Sequence, residues 1–387
     1  MRVTHFLKLY LYMKILTLAL FAALVFVSCN QRKLVSGINP EAFYKKVDGK
    51  QVELFTLRNK SGMEMSVTNY GGRIVSLMVP DRSGKLEDIV LGYDRLSGYL
   101  TSTEQYFGAA IGRYGNRIAN GLFKLDNLDY KLAINNTPNS LHGGIKGFSS
   151  KIWNAVQNGD NELELTLVSP DMDEGYPGEL SVMIIYRLTE KNEVAIFYSA
   201  KTTKPTVINL TNHTYFNLHG AGNGDILDHI LYLNADKYTP VNSTLIPTGT
   251  IEQVKGSPFD FTTPVAVGTR INDKNEQLAF GLGYDHNFVL NKTKDGEKVS
   301  LAAVVSDPIS GRYMEVYTNE PGIQFYCGNF LKGKEIGKGN KPYNFRSALC
   351  LETQHFPDSP NHPEFPTVVL RPGAIYSSAC VYKFSVK

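Results

Sequence analysis

The chain has 387 residues, with 40 lysines and arginines against 37 aspartates and glutamates, a formal net charge of +3. Apolar residues make up 42% and charged residues 20%, the balance of a globular protein rather than a disordered one. No run of like charge supplies the clustered basic face that nucleic-acid binding needs, and the length allows either two domains or one large β domain.

Residues 1–28 hold Arg2, Lys8 and Lys14 and no acid, and Ile15 to Val27 is an apolar run of 13 residues. A membrane-crossing helix needs about 20 such residues, so this run suits the core of a signal peptide. Met13-Lys14 would itself make a normal signal start. The run ends in Val27-Ser28-Cys29, which resembles a bacterial lipobox with Phe26 in place of the usual leucine. Residues 1–28 are therefore read as a lipoprotein-type signal peptide, Cys29 as the lipidated residue and 29–39 as a tether. A plain secretory signal with Cys29 incidental is the alternative. A diacylated Cys29 would hold the protein on a membrane surface without spanning it. The stretch after it lacks an acidic run, which favours an exported, periplasm-facing position. Arg2, Lys8 and Lys14 account for the whole excess of positive charge, so the remainder is formally neutral. Cys327, Cys350 and Cys380 form no C-x-x-C pair, and are expected to be small buried apolar residues rather than zinc or redox ligands.

From about Ile38 the pattern has period two. Val52 to Leu57, Met63 to Tyr70, Arg73 to Val79, Leu163 to Val168, Val182 to Leu188, Val194 to Ala200, Val299 to Val305 and Ile375 to Phe384 alternate or run apolar. Turn clusters such as Asp81-Arg82-Ser83-Gly84 separate them. These are strand and hairpin signals at short spacing. Helical periodicity is confined to a turn or two near Leu96 to Leu100 and Glu276 to Ala279. Strands do not alternate with long helices, which argues against doubly wound and barrel α/β folds. The expected architecture is all-β: a single large antiparallel sandwich over residues 40–387.

Five turn-flanked segments carry polar side chains that their local pattern does not need. In 112–118, Arg113 and Arg117 sit among glycines, and arginine offers a planar fork of donors suited to hydroxyls. In 139–144, His142 precedes two glycines. In 209–218 the alternation puts Thr211, His213 and Tyr215 on one strand face. In 281–288, Asp285, His286 and Asn287 follow a glycine-rich approach. In 349–363, Glu352 ends an apolar run that reads as a buried strand. An acid there costs free energy unless partnered, and burial raises a carboxyl toward the range useful to a general base. No H-E-x-x-H or comparable ligand spacing occurs, nor a G-x-S-x-G elbow or phosphate loop, so neither metal nor nucleotide cofactor is expected.

Taken together, GRYGNRIANGLFKLD (112–126), NNTPNSLHGG (135–144), GYPGEL (175–180), NLTNHTYFNL (209–218), GYDHNF (283–288), PGIQFYCGN (321–329) and CLETQHFPDSPNHPEFP (350–366) resemble the aldose 1-epimerases, or galactose mutarotases, in that family's order. The resemblance covers roughly Phe43 to Lys387. It implies a large antiparallel β-supersandwich and interconversion of the α and β anomers of free aldohexoses such as galactose and glucose. By the family's motifs, Glu352 is similar to the catalytic base and His213 to the acid that protonates the ring oxygen. His142 resembles a second imidazole near that oxygen. Asn116, Arg117, Asp285 and Gln324 resemble sugar contacts. Arg113, Tyr215, His286, His355 and His362 are not carried over. The resemblance implies no cofactor, a small-sugar substrate and a monomer or loose dimer. Departures are Tyr114-Gly115 before the Asn-Arg pair, and Cys327 where the family commonly has threonine. Two other functions compete. A glycoside hydrolase would use Glu352 and Asp285 as its carboxylate pair. A lipid-anchored sugar-binding protein would keep the cleft without the chemistry.

Overall fold

A computed structural model describes residues 33–292 and 298–387. The expected signal peptide and Cys29 lie outside the described residues. The last part of the expected tether does not: the backbone N–H groups of Val35 and Ser36 donate to the buried Glu64 carboxylate at 3.0 and 3.1 Å, and Ile38 is buried in the core. Arg58 completes this clamp, 2.8 Å from Glu64. The packed body thus begins a few residues before Pro40.

Nine antiparallel strands form the largest sheet. Its central members are Leu180–Leu188, Glu193–Thr202, Tyr376–Val386 and Arg312–Thr318. Burial along Leu180–Leu188 strictly alternates, because one face packs on the core and the other meets solvent. The eight alternating or apolar segments fall on strands of this sheet or of a four-stranded sheet formed by Leu54–Arg58, Glu64–Thr68, Arg73–Pro80 and Leu86–Asp88, with Val52 alone on the adjoining strand Lys50–Val52. The two expected helical turns are the short helices Leu96–Thr101 and Glu276–Gly281.

A five-stranded antiparallel sheet carries the chemistry. It runs in the order Glu252–Gln253, Lys237–Thr239, Asp285–Val289, Gly322–Tyr326, Cys350–Gln354. Its register pairs Asp285 with Tyr326, and Gln324 with both Asn287 and Glu352. With a period of two, one face therefore presents Asp285, Tyr326, Gln324 and Glu352. The other presents Phe288, Ile323, Phe325 and Leu351 to the main core. Both faces are buried, which is why Cys350–Gln354 has no exposed residue.

Beside this sheet, the short strand Thr211–His213 pairs with Ala109–Ile111 and brings His213 to the end of the polar face. The loop after Leu141 adds His142. That loop turns back tightly: Gly143 has φ +87°, and a Cβ there would sit 2.0 Å from the Gly112 carbonyl oxygen, so no other residue fits. Phe148 closes the loop from beneath, fully buried and edge-on to Trp153 at 5.6 Å. Phe148→Ala is expected to cost about 3–5 kcal/mol of stability. Trp153 is the sole tryptophan of the chain, so its fluorescence during urea unfolding reads this loss directly.

Candidate active site

The three converging elements enclose a cleft of about 560 Å³. Asn116, Arg117, His142, His213, Asp285 and Glu352, all expected from sequence, line it. Gln324 does not. It lies on the same face of the sheet, donating from Nε2 to Asp285 Oδ1 at 2.7 Å, which orients that carboxylate. Arg113 is buried away from the cleft and donates to the carbonyls of Pro177 and Gly178 at 2.8 Å. His286 accepts a backbone N–H on the core side, and His355 pairs with Glu320 at 2.5 Å. None of the three lines the cleft.

Glu352 and His213 face each other at the centre. Glu352 Oε1 is 3.6 Å from His213 Nε2, and both side chains are almost wholly buried. Glu352 Oε2 has no hydrogen-bond partner within the protein. Burial drives the Glu352 carboxyl well above its ordinary value, with the negative charges of Asp285 and Glu104 adding to the rise and Arg117 opposing it. Burial also lowers the His213 imidazole to about 3. The His213 ring lies between two tyrosines, stacked on Tyr215 at 4.8 Å and on Tyr106 at 5.7 Å. Its Nδ1 is 3.5 Å from the Cys350 sulfur.

His142 is held in one tautomer. Its Nδ1 accepts the backbone N–H of Asn116 at 3.2 Å, while the backbone N–H of His142 donates to the Asn116 carbonyl at 2.9 Å. Burial keeps the ring neutral, far below the ordinary histidine range. A neutral imidazole whose Nδ1 accepts carries its proton on Nε2, so His142 is a donor to whatever occupies the cleft. This settles what the donor set can hold. Ligand atoms of His142, His213 and Glu352 lie within 4.8 Å of one another, a grouping that sequence spacing did not disclose. Neither His142 nitrogen has a spare lone pair, however, so the trio fits a hydrogen-bonding ligand rather than a cation. At the other side of the cleft, Arg117 donates from Nε to Asn136 at 3.0 Å and its guanidinium lies 3.9 Å from Asp285. This leaves a donor fork and a carboxylate side by side, suited to the paired hydroxyls of a sugar.

Sequence reasoning missed Glu104, Tyr106, Tyr326 and the apolar mouth residues Leu245, Leu282 and Phe330. Tyr326 was within reach, two residues beyond Gln324 on the same strand face. Glu104 and Tyr106 come from an irregular turn that carries no periodic signal.

The profile of the Aldose 1-epimerase family matches residues 53–383. The chain belongs to the aldose 1-epimerase family. It is 45% identical to the galactose mutarotase of Rattus norvegicus over 338 residues, covering 87% of this chain and 95% of that protein. It is 39% identical to the aldose 1-epimerase of Escherichia coli K12, covering 87% and 96%. Among solved structures, an aldose epimerase homologue from C. elegans superposes with a TM-score of 0.80 at 30% identity, covering 87% of this chain and 99% of that one. Galactose 1-epimerase from Lactobacillus acidophilus gives 0.77 at 27%, covering 89% and 97%. The enzyme is an isomerase on the β-supersandwich expected from sequence. The hydrolase alternative would leave both cleft histidines idle, whereas they flank Glu352.

The neutral imidazoles make a pH prediction. Free histidine titrates near 6.5 while folded His213 and His286 are lowered to about 3. The unfolded chain therefore binds the proton first, and stability falls as pH drops from about 6.5 toward 3, by roughly 1 kcal/mol per pH unit for each such group. Nitrogen-15 spectra of the sugar-free protein should show His213 neutral down to about pH 5, and His213→Asn should flatten the acid slope of the unfolding free energy. A protonated His213 near pH 6 would contradict the geometry.

Proposed function

We propose that this cleft interconverts the anomers of free aldohexoses such as galactose and glucose, with Glu352 as base and His213 as acid. Glu352 takes the proton of the anomeric hydroxyl while His213 delivers one to the ring oxygen. The bond between the anomeric carbon and the ring oxygen breaks, giving an open-chain aldehyde. Rotation about the bond to the second carbon and closure, with the two transfers reversed, yields the other anomer. Atoms and protons balance without redox change.

The observation that carries this reading is the Glu352–His213 pair at 3.6 Å. Burial penalises both ions, raising the carboxyl and lowering the imidazole, so the pair holds one proton between them. In the sugar-free cleft burial places that proton on the carboxyl; its passage across to His213 as sugar binds gives carboxylate and imidazolium, the state from which Glu352 takes the anomeric proton while His213 gives up its own. The unpartnered Glu352 Oε2 offers an acceptor to the anomeric hydroxyl. His142 donates toward the ring oxygen, and Asn116, Arg117 and Asp285 bind the remaining hydroxyls. The sheet holds these groups rigidly, so orientation contributes along with proton transfer.

The optical rotation of freshly dissolved α-glucose or α-galactose tests these roles. Glu352→Gln and His213→Asn should each slow enzymatic mutarotation by about 10²-fold or more. Wild-type rates in both variants would overturn the assignment.

We also propose that the enzyme is exported, lipid-anchored through Cys29 and acts on sugars in the periplasm. The basic leader, the 13-residue apolar run and the cysteine that follows support this. In a bacterial host, radiolabelled palmitate should enter the full-length chain and fail to enter Cys29→Ser, which should then leave the membrane fraction. Equal labelling of both would refute lipidation at Cys29.

A further inference from the structure

The cleft holds a third carboxyl for which acid/base exchange has no use. Glu104 lines it beside Tyr106 and Tyr215. Its Oε1 accepts the Tyr106 backbone N–H at 3.1 Å, and the Tyr215 hydroxyl hydrogen-bonds the same carboxylate. These two residues provide the rings on either side of the His213 imidazole. Tyr106 also packs on His142 at 4.6 Å. One carboxylate thus sets the position of both walls against which the imidazole stands. The turn that bears it is itself fixed: Arg73 donates to the carbonyls of Gln105 and Phe107 at 2.7 and 2.9 Å, and Glu335 accepts the backbone N–H of Thr103 at 3.2 Å.

We propose that Glu104 is a positioning residue for the reaction, clasping His213 through Tyr106 and Tyr215 and placing a further negative charge where the proton shared by Glu352 and His213 feels it. This rests on the reading of that pair as base and acid. The charged groups around Glu104 are Arg73, which favours its ionised form, and Glu335, which opposes it. Its charge in turn raises Tyr215, Tyr326 and Glu352. The other charged groups acting on Glu352 are Asp285, which raises it, and Arg117, which lowers it. Burial lifts Glu104 to about 7, so its charge is present on the alkaline side of neutrality and fades on the acid side.

Polarimetric rates of the full chain, Glu104→Gln, Glu104→Ala and Glu352→Gln across pH decide the matter. Glu104→Gln keeps the acceptor oxygen and loses the charge. The pair's last proton should then leave more easily, moving the alkaline limb of kcat/KM to lower pH by about half a unit or more while the acid limb coincides with wild type. Glu104→Ala should lower kcat roughly tenfold with KM changed less than about twofold, and Glu104→Gln should restore most of that kcat. If Glu104→Ala does not fold, the alkaline limb of Glu104→Gln alone decides. An unmoved alkaline limb, or a rise in KM alone, would overturn the proposal, the latter marking Glu104 as a direct sugar contact. Full activity in Glu352→Gln would overturn the underlying acid/base reading, separately from any result at Glu104.

Discussion

A carboxyl removed from water with no cation in contact is among the costliest groups a sheet can carry, and Glu352 stands in the middle of a strand with no exposed residue. The rest of the molecule can be understood from that constraint. The apolar undersides of the five-stranded sheet, including Leu351, Phe325 and Ile323, are welded into the main core and hold the strand where it would not otherwise stay. The desolvation that threatens stability also makes the carboxyl basic and denies His213 a full charge, so one cause supplies both halves of a proton exchange.

The neighbours of the pair do not neutralise it. Arg117 is aligned with Asp285 and reaches Glu352 only through its field. The aromatic rings around His213 exclude water without offering charge. A salt bridge at this point would have stabilised the protein and fixed the proton in place; the tyrosines leave the proton free to move.

Much of this was legible in the sequence, and the limits have physical causes. Alternation predicted the strands of the large sheet because their outer faces meet solvent. The inner strand Cys350–Gln354 was legible for the opposite reason, as an acid in an apolar run has no explanation except partnership or function. For Gln324, period two shows which face the residue lies on and not its partner; the hydrogen bond to Asp285 is seen only in the structure. Glu104 and Tyr106 were beyond the sequence, since they come from an irregular turn with no periodic signal, whereas the grouping of His142, His213 and Glu352 followed from the family resemblance and not from their spacing. The fixed tautomer of His142 depends on a backbone N–H brought to it by the Asn116 turn, and no pattern of side chains records that.

The Glu64 clamp has a mechanical meaning under the proposed anchoring. Only five residues separate Cys29 from Val35, where the backbone is already gripped. Fully extended, that stretch spans roughly 15–20 Å. A leash so short would not let the domain turn over at the bilayer. It would hold the Glu64 side toward the lipid, and the enzyme would work as a moored body with a fixed attitude to the sugars that diffuse past it.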